Sequence, residues 1–415
     1  DMDTVSTLPF FPGNIYYQDK NDSIGEDMDL IKTLQTDEMK WDLMDAAGKE
    51  NRHNFLLQLG MQCMAEALAQ EVTHIEWYYS YPTSFTIAQQ TSLEETWQHL
   101  IKQFKLIYPN VGDSVKSNSE SIAMARYFTD EAIADAGIRN AIVCFDIGGG
   151  STDIAVWQGS KSNTDKAIRA QCSLRFAGKN ILNDQLFKHS DFLSDFIENG
   201  KPAMNDELKQ IQNAAQKGDR KTFNILLEAF LKYYEEPIFA RLSAVKTSTK
   251  TKTLIRNLTF SLSGIFFYTG IIVGDLRVTG NYGEYRELPE CYVGGNGSKL
   301  LNWAAGGHFS DANQVALIFK HVFKNGVDKG HDFRNRVKNN IPIAEKSKGG
   351  YKPFLSIHST KHPKQEVAYG LVSPKVIQAT DEEEEMALSG SFEEAMSMPE
   401  STPFSTQNSF LEGSN

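Results

Sequence analysis

Cysteine is scarce in this chain. There are four in 415 residues (Cys63, Cys144, Cys172 and Cys291), and no two form a Cys-x-x-Cys pair. That leaves no disulfide framework and no redox pair. Three of the four lie in apolar surroundings, as expected for reduced, buried thiols in a cytoplasmic protein. Basic charge is missing from the end of the chain. Val376 to Asn415 holds nine acidic residues and no Lys or Arg, so −9 of the formal −11 belongs to that segment and the rest is near −2. The body therefore gives no electrostatic reason to expect nucleic acid. Long hydrophobic runs are also few. Asn257–Gly274 is an 18-residue stretch without a charge, which reaches the length of a membrane span, but it contains Asn257, Thr259, Ser261, Ser263, Thr269 and three glycines. It reads as a mostly buried helix of a large α/β domain, and no membrane segment is expected. No signal peptide is visible, and the first residue is Asp1, which suggests a processed or partial chain. Gly-x-Ser-x-Gly and His-Glu-x-x-His are both absent. His358 and His362 sit four apart among Ser, Thr, Lys and Pro, so a loop is expected there and not a metal site. No base suggests itself as partner to a catalytic cysteine.

What is present is concentrated in one stretch, Asp146-Ile147-Gly148-Gly149-Gly150-Ser151-Thr152-Asp153. It follows the apolar run Ala141 to Phe145, which reads as a buried strand. A carboxylate at the end of a strand followed by bare backbone amides suits an anion and a hydrated Mg²⁺, a hard cation that keeps several waters. Ile154–Val156 then alternates like the second strand of a hairpin. The Walker loop ends in Gly-Lys-Ser/Thr and opens a helix, so this is a different device. An ordinary Gly-rich hairpin turn is the alternative.

The remaining pattern is that of an α/β protein with a mixed or parallel sheet and helices on its faces. Residues 1–50 are acidic and irregular, with a weak helix over 27–46. A helix is expected over 53–69, with Leu56, Leu59, Cys63 and Ala67 on one face. A strand follows from Thr73 to Tyr79, then helices over Ser92–Phe104 and Ser121–Ala136, the latter stopped by Gly137. A long amphipathic pattern over 207–235 (Leu208, Ile211, Phe223, Leu226, Phe230) reads as core. A helix over 253–275 comes next. Glu290–Val293 is a short strand opening into Gly294-Gly295-Asn296-Gly297-Ser298-Lys299, then a helix through Trp303. Ligands of such folds sit at the carboxyl ends of strands, where both Gly-rich turns lie. From about Ala379 the composition becomes acidic and polar with scattered Phe. It reads as a disordered, solvating tail or as a segment that docks a protein partner through Phe392, Met396, Phe404 and Phe410.

The order of motifs resembles the actin-like ATPase superfamily (actin, sugar kinases and the seventy-kilodalton heat-shock chaperones), the chaperone branch above all. Ile75 to Pro82 with Phe85 and Gln89-Gln90 is similar to that family's strand, proline and helix start. Ser119-Glu120-Ser121-Ile122-Ala123-Met124-Ala125 is similar to its first interdomain helix. Asp146 to Asp153 matches its second phosphate motif, and Phe176-Ala177-Gly178 with Asp184 resembles the segment after it. Tyr292 to Lys299 resembles the adenosine motif, and Gln365 to Leu371 the late Ala-x-Gly helix. The resemblance spans roughly residues 50–375. It implies a two-domain actin-like fold built of ribonuclease-H-like halves, the N-terminal half incomplete. It divides the chain into a first domain (1–137), a second (138–365), a returning helix (366–378) and the tail (379–415). It implies ATP or ADP with Mg²⁺ as ligands. Glu120 would orient the attacking water. Asp146 would anchor the hydrated metal, with Asp153 in support. Gly148, Gly149, Gly150, Ser151 and Thr152 would hydrogen-bond phosphate oxygens. Gly294 and Gly295 would lie beneath the nucleotide, with Asn296, Ser298 and Lys299 bordering adenine or ribose. Each has a structural alternative: Glu120 as a helix first-turn acid, Gly294-Gly295 as a mere strand-to-helix turn.

Two departures from the family stand out. The first phosphate motif, Asp-x-Gly-Thr-Thr, is not found: Asp3-Thr4 lacks the glycine and Pro12-Gly13-Asn14 lacks the acid. Either it lies upstream or hydrolysis has been lost. No β-rich substrate domain follows Leu371, which argues against a peptide-folding chaperone. The leading expectation is an ATP-binding conformational switch in which hydrolysis, if present, is slow. The alternatives are a non-catalytic interaction module with a degenerate site, and a self-associating, filament-forming protein.

Overall fold

The computed structural model describes residues 46–136, 141–158, 167–197, 202–278, 289–337, 356–360, 363 and 365–372. The expectations for residues 1–45, Gly137, 373–378 and the tail lie outside them. The chain divides into two compact units, Asp1–Asn118 with Asn183–Leu254, and Ser119–Leu182 with Ile255–Asn415. The contacts divide the chain at Asn118 and place Asn183–Leu254 with the first unit.

In the first unit, helix α1 (Ala46–Ala69) is followed by β1 (Ile75–Tyr81), α2 (Ile87–Ile107) and β2 (Val111–Ser119), and β1 and β2 form a two-stranded sheet. Thr86 starts α2 with a capping box: its hydroxyl accepts from the Gln89 amide, and the Gln89 side chain accepts from the Thr86 N–H. Phe104, Leu100, Trp97 and Ile101 of α2 then pack with Met64, Tyr79 and Phe85 into one apolar cluster. The buried face of α1 is offset from the expected one. Leu59 and Cys63 are exposed, whereas Gly60 and Met64 are buried. The reason is Phe104, whose ring lies so close to Gly60 that a Cβ there would meet its Cζ at 2.3 Å. A glycine does not register as apolar in a periodicity count, yet here it is the docking point.

The other described residues of the first unit are mostly helical. It contains α4 (Asp184–Lys188), a 3₁₀ turn (Ser190–Phe196), α5 (Pro202–Gln216), α6 (Arg220–Tyr233) and α7 (Glu235–Val245). The single amphipathic pattern expected over 207–235 is two helices. Gly218, at φ +72°, leaves α5 in the left-handed conformation that favours glycine. Asp219 then caps α6, its carboxylate accepting from the Thr222 N–H at 3.1 Å. The core reading of the stripe holds: Leu208, Ile211, Phe223, Leu226 and Phe230 are all buried.

The second unit is built on a five-stranded sheet. Its strands are β3 (Ala141–Ile147), β4 (Thr152–Gln158), β5 (Ala167–Leu174), β6 (Glu290–Gly294) and β7 (Ile357–Ser359), in the order β5-β4-β3-β6-β7. The first three form an antiparallel meander, and β6 and β7 continue it in parallel with β3. β3 is central and buried on both faces, hence its unbroken apolar run. Helix α3 (Glu120–Ala136) covers one face, where Met124, Ala125 and Phe128 meet Ile142, Cys144, Ala155, Trp157 and Tyr292. α8 (Thr249–Val278) and α10 (Gln314–Val337) cover the other: Phe145 packs on Phe266, which stacks on Phe319 at 4.7 Å. Between β6 and α10 lies the short helix α9 (Leu300–Ala305). α8 and α10 cross with their backbones almost touching. A Cβ on Gly270, Gly274, Gly326 or Gly330 would lie 2.2 Å from a carbonyl oxygen of the facing helix. This close crossing accounts for two of the three glycines in the uncharged run, Gly270 and Gly274. Half of its most apolar window is buried, less than the mostly buried helix expected, and Phe260 stands 82% exposed. Among the described residues α8 is the one helix long and apolar enough to cross a membrane. The last helix, α11 (Gln365–Val372), packs along α3 with Gly370 against the Ala123 carbonyl.

Candidate functional site

The two Gly-rich motifs, far apart in sequence, meet at the carboxyl ends of adjacent parallel strands. In the β3–β6 register Asp146 stands opposite Gly294. The chain leaves β6 through Gly295 at φ +72°, and a Cβ there would lie 2.2 Å from Asp146 Oδ1 and 2.7 Å from the Ile147 carbonyl. Only glycine fits both the conformation and the space. Gly297 repeats the approach, its missing Cβ 2.4 Å from Ile147 Cγ2. A 3₁₀ turn, Asn296–Lys299, follows, with the Ser298 N–H donating to the Gly295 carbonyl at 3.0 Å. Ser298 is buried, Asn296 is exposed and Lys299 half-buried.

Antiparallel pairing places Asp153 directly opposite Asp146. Partners in register share a face, so both carboxylates lie on the side covered by α3. Asp153 is 1% exposed and accepts from the Ser151 hydroxyl at 3.3 Å. Like charges directly opposite on a sheet are destabilising. A cation between them removes that penalty, and two carboxylates with retained waters suit Mg²⁺. Among the described residues no cluster of three or more His, Cys, Asp or Glu exists, so a fully protein-ligated metal has no seat there.

The connecting turn is closed by the Gly148 N–H, which donates to the Ser151 carbonyl at 2.9 Å. It is braced from outside. The Gly178 N–H donates to the Gly148 carbonyl at 3.0 Å, the Lys179 N–H to the Gly149 carbonyl at 2.8 Å, and the Thr152 hydroxyl to the Phe176 carbonyl at 2.7 Å. These bonds fasten the turn's carbonyls and leave Gly149 and Gly150 exposed, with open space where a Gly149 Cβ would be. Of the five residues expected to bind phosphate, Gly149 and Gly150 are the exposed ones. Gly148 uses its amide within the turn, and the side chains of Ser151 and Thr152 point inward.

Glu120 is the first residue of α3 and half-buried. Ser119 caps the helix, its hydroxyl accepting from the Ile122 N–H at 3.3 Å. Both serines flanking Glu120 reach Gln171 of β5: Ser119 Oγ and Ser121 Oγ each lie 3.0 Å from Gln171 Oε1. Gln171 pairs with Ala155, two positions along from Asp153, on the same face of the sheet. The sequence reading missed Gln171, because β5 was not legible as a strand.

The cysteines take no part. Burial pushes the Cys144 and Cys291 thiols far up, and burial with nearby Asp153 pushes Cys172 to about 12. Such thiols are inert. His358 lies on strand β7 and not in a loop, its ring stacked on Tyr292 at 4.7 Å; His362 is outside the described residues. A separate polar cleft of about 420 Å³ lies in the first unit, lined by His74, Glu76, Lys105 and Lys116 among others. There the Tyr78 hydroxyl and Lys116 hold the exposed Glu76 carboxyl below its ordinary range. Neither Gly-rich motif lines it. The chain matches no protein-family model and none of the curated proteins.

Proposed function

We propose that the chain is an actin-like, nucleotide-binding protein that takes ATP or ADP with Mg²⁺ and uses nucleotide state as a conformational switch, with slow hydrolysis. The observation that carries this reading is the meeting of Asp146 with Gly295. One supplies a carboxylate, the other a bare backbone approach, at the carboxyl ends of neighbouring parallel strands. Further support comes from the strand order, an antiparallel meander continued by two parallel strands, as a ribonuclease-H-like half requires. The packing of α11 on α3 also agrees, since these are the two helices that resemble the family's interdomain elements.

In this reading Asp146 and Asp153 hold the hydrated metal, and Gly149 and Gly150 donate to phosphate. Gly294 and Gly295 lie under the nucleoside, bordered by Asn296 and Lys299. Glu120 accepts a proton from, or orients, the attacking water. The metal neutralises phosphate charge when bound. Binding biases the protein towards one conformation by differential affinity. Calorimetric titration with ATP and Mg²⁺ tests the proposal. Micromolar binding that weakens by at least about tenfold in Asp146→Asn supports it. No binding, or binding indifferent to Asp146, refutes it.

The missing first phosphate motif favours a second reading, a non-catalytic interaction module on the same fold. In that case hydrolysis is absent and the acidic tail is the element that docks a protein partner.

A further inference from the structure

We infer that Gln171 is the positioning residue for Glu120, acting through the two serines that flank it; this rests on the proposed role of Glu120 in hydrolysis. A glutamate at the first position of a helix is ordinarily free to swing, because the helix N-terminus frays and the side chain has three rotatable bonds. Here the backbone on both sides of Glu120 is fastened. Ser119 and Ser121 are 3% and 1% exposed, so both hydroxyls are withdrawn from water. Both lie 3.0 Å from a single acceptor, Gln171 Oε1, and 3.1 Å from one another. Three oxygens share two hydroxyl protons, so the cluster is satisfied only when all three stay together. Ser119 is also the helix cap.

The acceptor itself is rigid, standing on β5 in register with Ala155 of β4, which is in turn paired with Cys144 of buried β3. A direct line of paired strands therefore runs from the strand that presents Asp146 to the turn that presents Glu120. Losing the acceptor removes the tie from both serines to β5, leaving their contact with one another and the Ser119 cap, and the start of α3 that carries Glu120 shifts from the geometry that proton transfer demands. A misplacement on the order of 1 Å costs up to about 10²-fold in rate.

The test is single-turnover ATP hydrolysis beside calorimetric ATP binding, in the wild type, Gln171→Met, Glu120→Gln and the double variant. Gln171→Met keeps the side-chain volume and removes the acceptor. The expected result is unchanged affinity, hydrolysis slowed about tenfold by Gln171→Met and about 10²-fold by Glu120→Gln, and no further loss in the double variant. That non-additivity is the signature of one residue acting through another, and a merely structural role would not produce it. Should Gln171→Met fold poorly, Ser121→Ala removes one of the two hydroxyls and is expected to slow hydrolysis several-fold at constant affinity. Full hydrolysis in Gln171→Met, or losses that simply add, overturns the inference while leaving the nucleotide reading intact. A wild type that binds ATP but never hydrolyses it overturns the inference and the hydrolytic part of the proposed function, and leaves nucleotide binding standing. A wild type that binds no nucleotide overturns both.

Discussion

Gly295→Ala is the substitution that most directly probes the join between the two motifs. Its Cβ would sit 2.2 Å from Asp146 Oδ1 and 2.7 Å from the Ile147 carbonyl, whereas an unstrained carbon–oxygen contact is about 3.3 Å or more. The Asp146 carboxylate must retreat by about 1 Å, and the Ile147 carbonyl of the paired strand, or the Gly295 backbone, must give by about 0.6 Å as well. The backbone adds a second cost, because φ +72° with ψ 165° is a conformation reached essentially by glycine alone and costs alanine about 1–3 kcal/mol. Overpacking adds about 1–3 kcal/mol, giving a total of about 2–6 kcal/mol. Urea unfolding measures that loss, and calorimetry should show Mg²⁺-dependent nucleotide binding falling with it. Gly149→Ala is the control. Nothing lies within 4 Å of its Cβ, so stability should change by less than about 0.5 kcal/mol. Nucleotide affinity should nevertheless fall about tenfold, since the new methyl fills the space a phosphate would approach. A Gly295→Ala protein with unchanged midpoint and unchanged affinity refutes this reasoning outright.

Other consequences follow from single sites. Gly270→Ala pushes a methyl to 2.2 Å from the Phe323 carbonyl and should destabilise by about 2 kcal/mol or more, whereas Gly264→Ala, in open space on the same helix, should stabilise by up to about 1 kcal/mol in thermal melts. Glu366 is fully buried, and among the described residues neither carboxyl oxygen has a hydrogen-bond partner. Glu366→Met should therefore stabilise by about 1 kcal/mol or more, and a marked loss in urea unfolding would refute that account. Burial, aided by nearby His99, holds the His53 imidazole below its ordinary value of about 6.5. The unfolded chain then binds the extra proton first, so this contribution to stability is present above the ordinary value and lost as pH falls through it. Urea midpoints measured from about pH 7 down to about pH 5 should drop, and less so in His53→Gln.

How much of this was legible in the sequence depended on where the information lay. β3 and Asp146 were legible because a strand buried on both faces must be apolar throughout, and the first acid marks its end. β6 and its glycines were legible for the same reason. β2, Val-Gly-Asp-Ser-Val-Lys-Ser-Asn-Ser, was not, since a two-stranded sheet with a wet face needs few apolar residues. β5 was obscured by a register shift opposite Val156 and Trp157, which breaks the alternation a strand is recognised by. The break between α5 and α6 was written plainly in Gly218-Asp219, a stop followed by a cap, and the strength of the flanking apolar stripe hid it. Gly60 and Gly370 could not have been read at all. Their meaning lies in what packs against them, the Phe104 ring and the Ala123 carbonyl.

The pairing of Asp146 with Asp153 separates the competing readings better than any motif. Two acids stand in direct cross-strand register, one of them 1% exposed, which is the arrangement the proposed cation site would use. Holding both acids there makes sense if a cation is present for part of the working cycle, and a cation on two carboxylates keeps free coordination sites for water and phosphate. Loss of the first phosphate motif would remove donors from one side of a nucleotide, yet it would leave this pair and the braced Gly149-Gly150 turn intact. The same holds for the Glu120 anchorage: a helix cap alone needs only Ser119, and the added Ser121–Gln171 bond serves no capping purpose. Both features are ones the proposed metal-bound phosphate site would use, and the Ser121–Gln171 bond is one that a helix cap alone does not need.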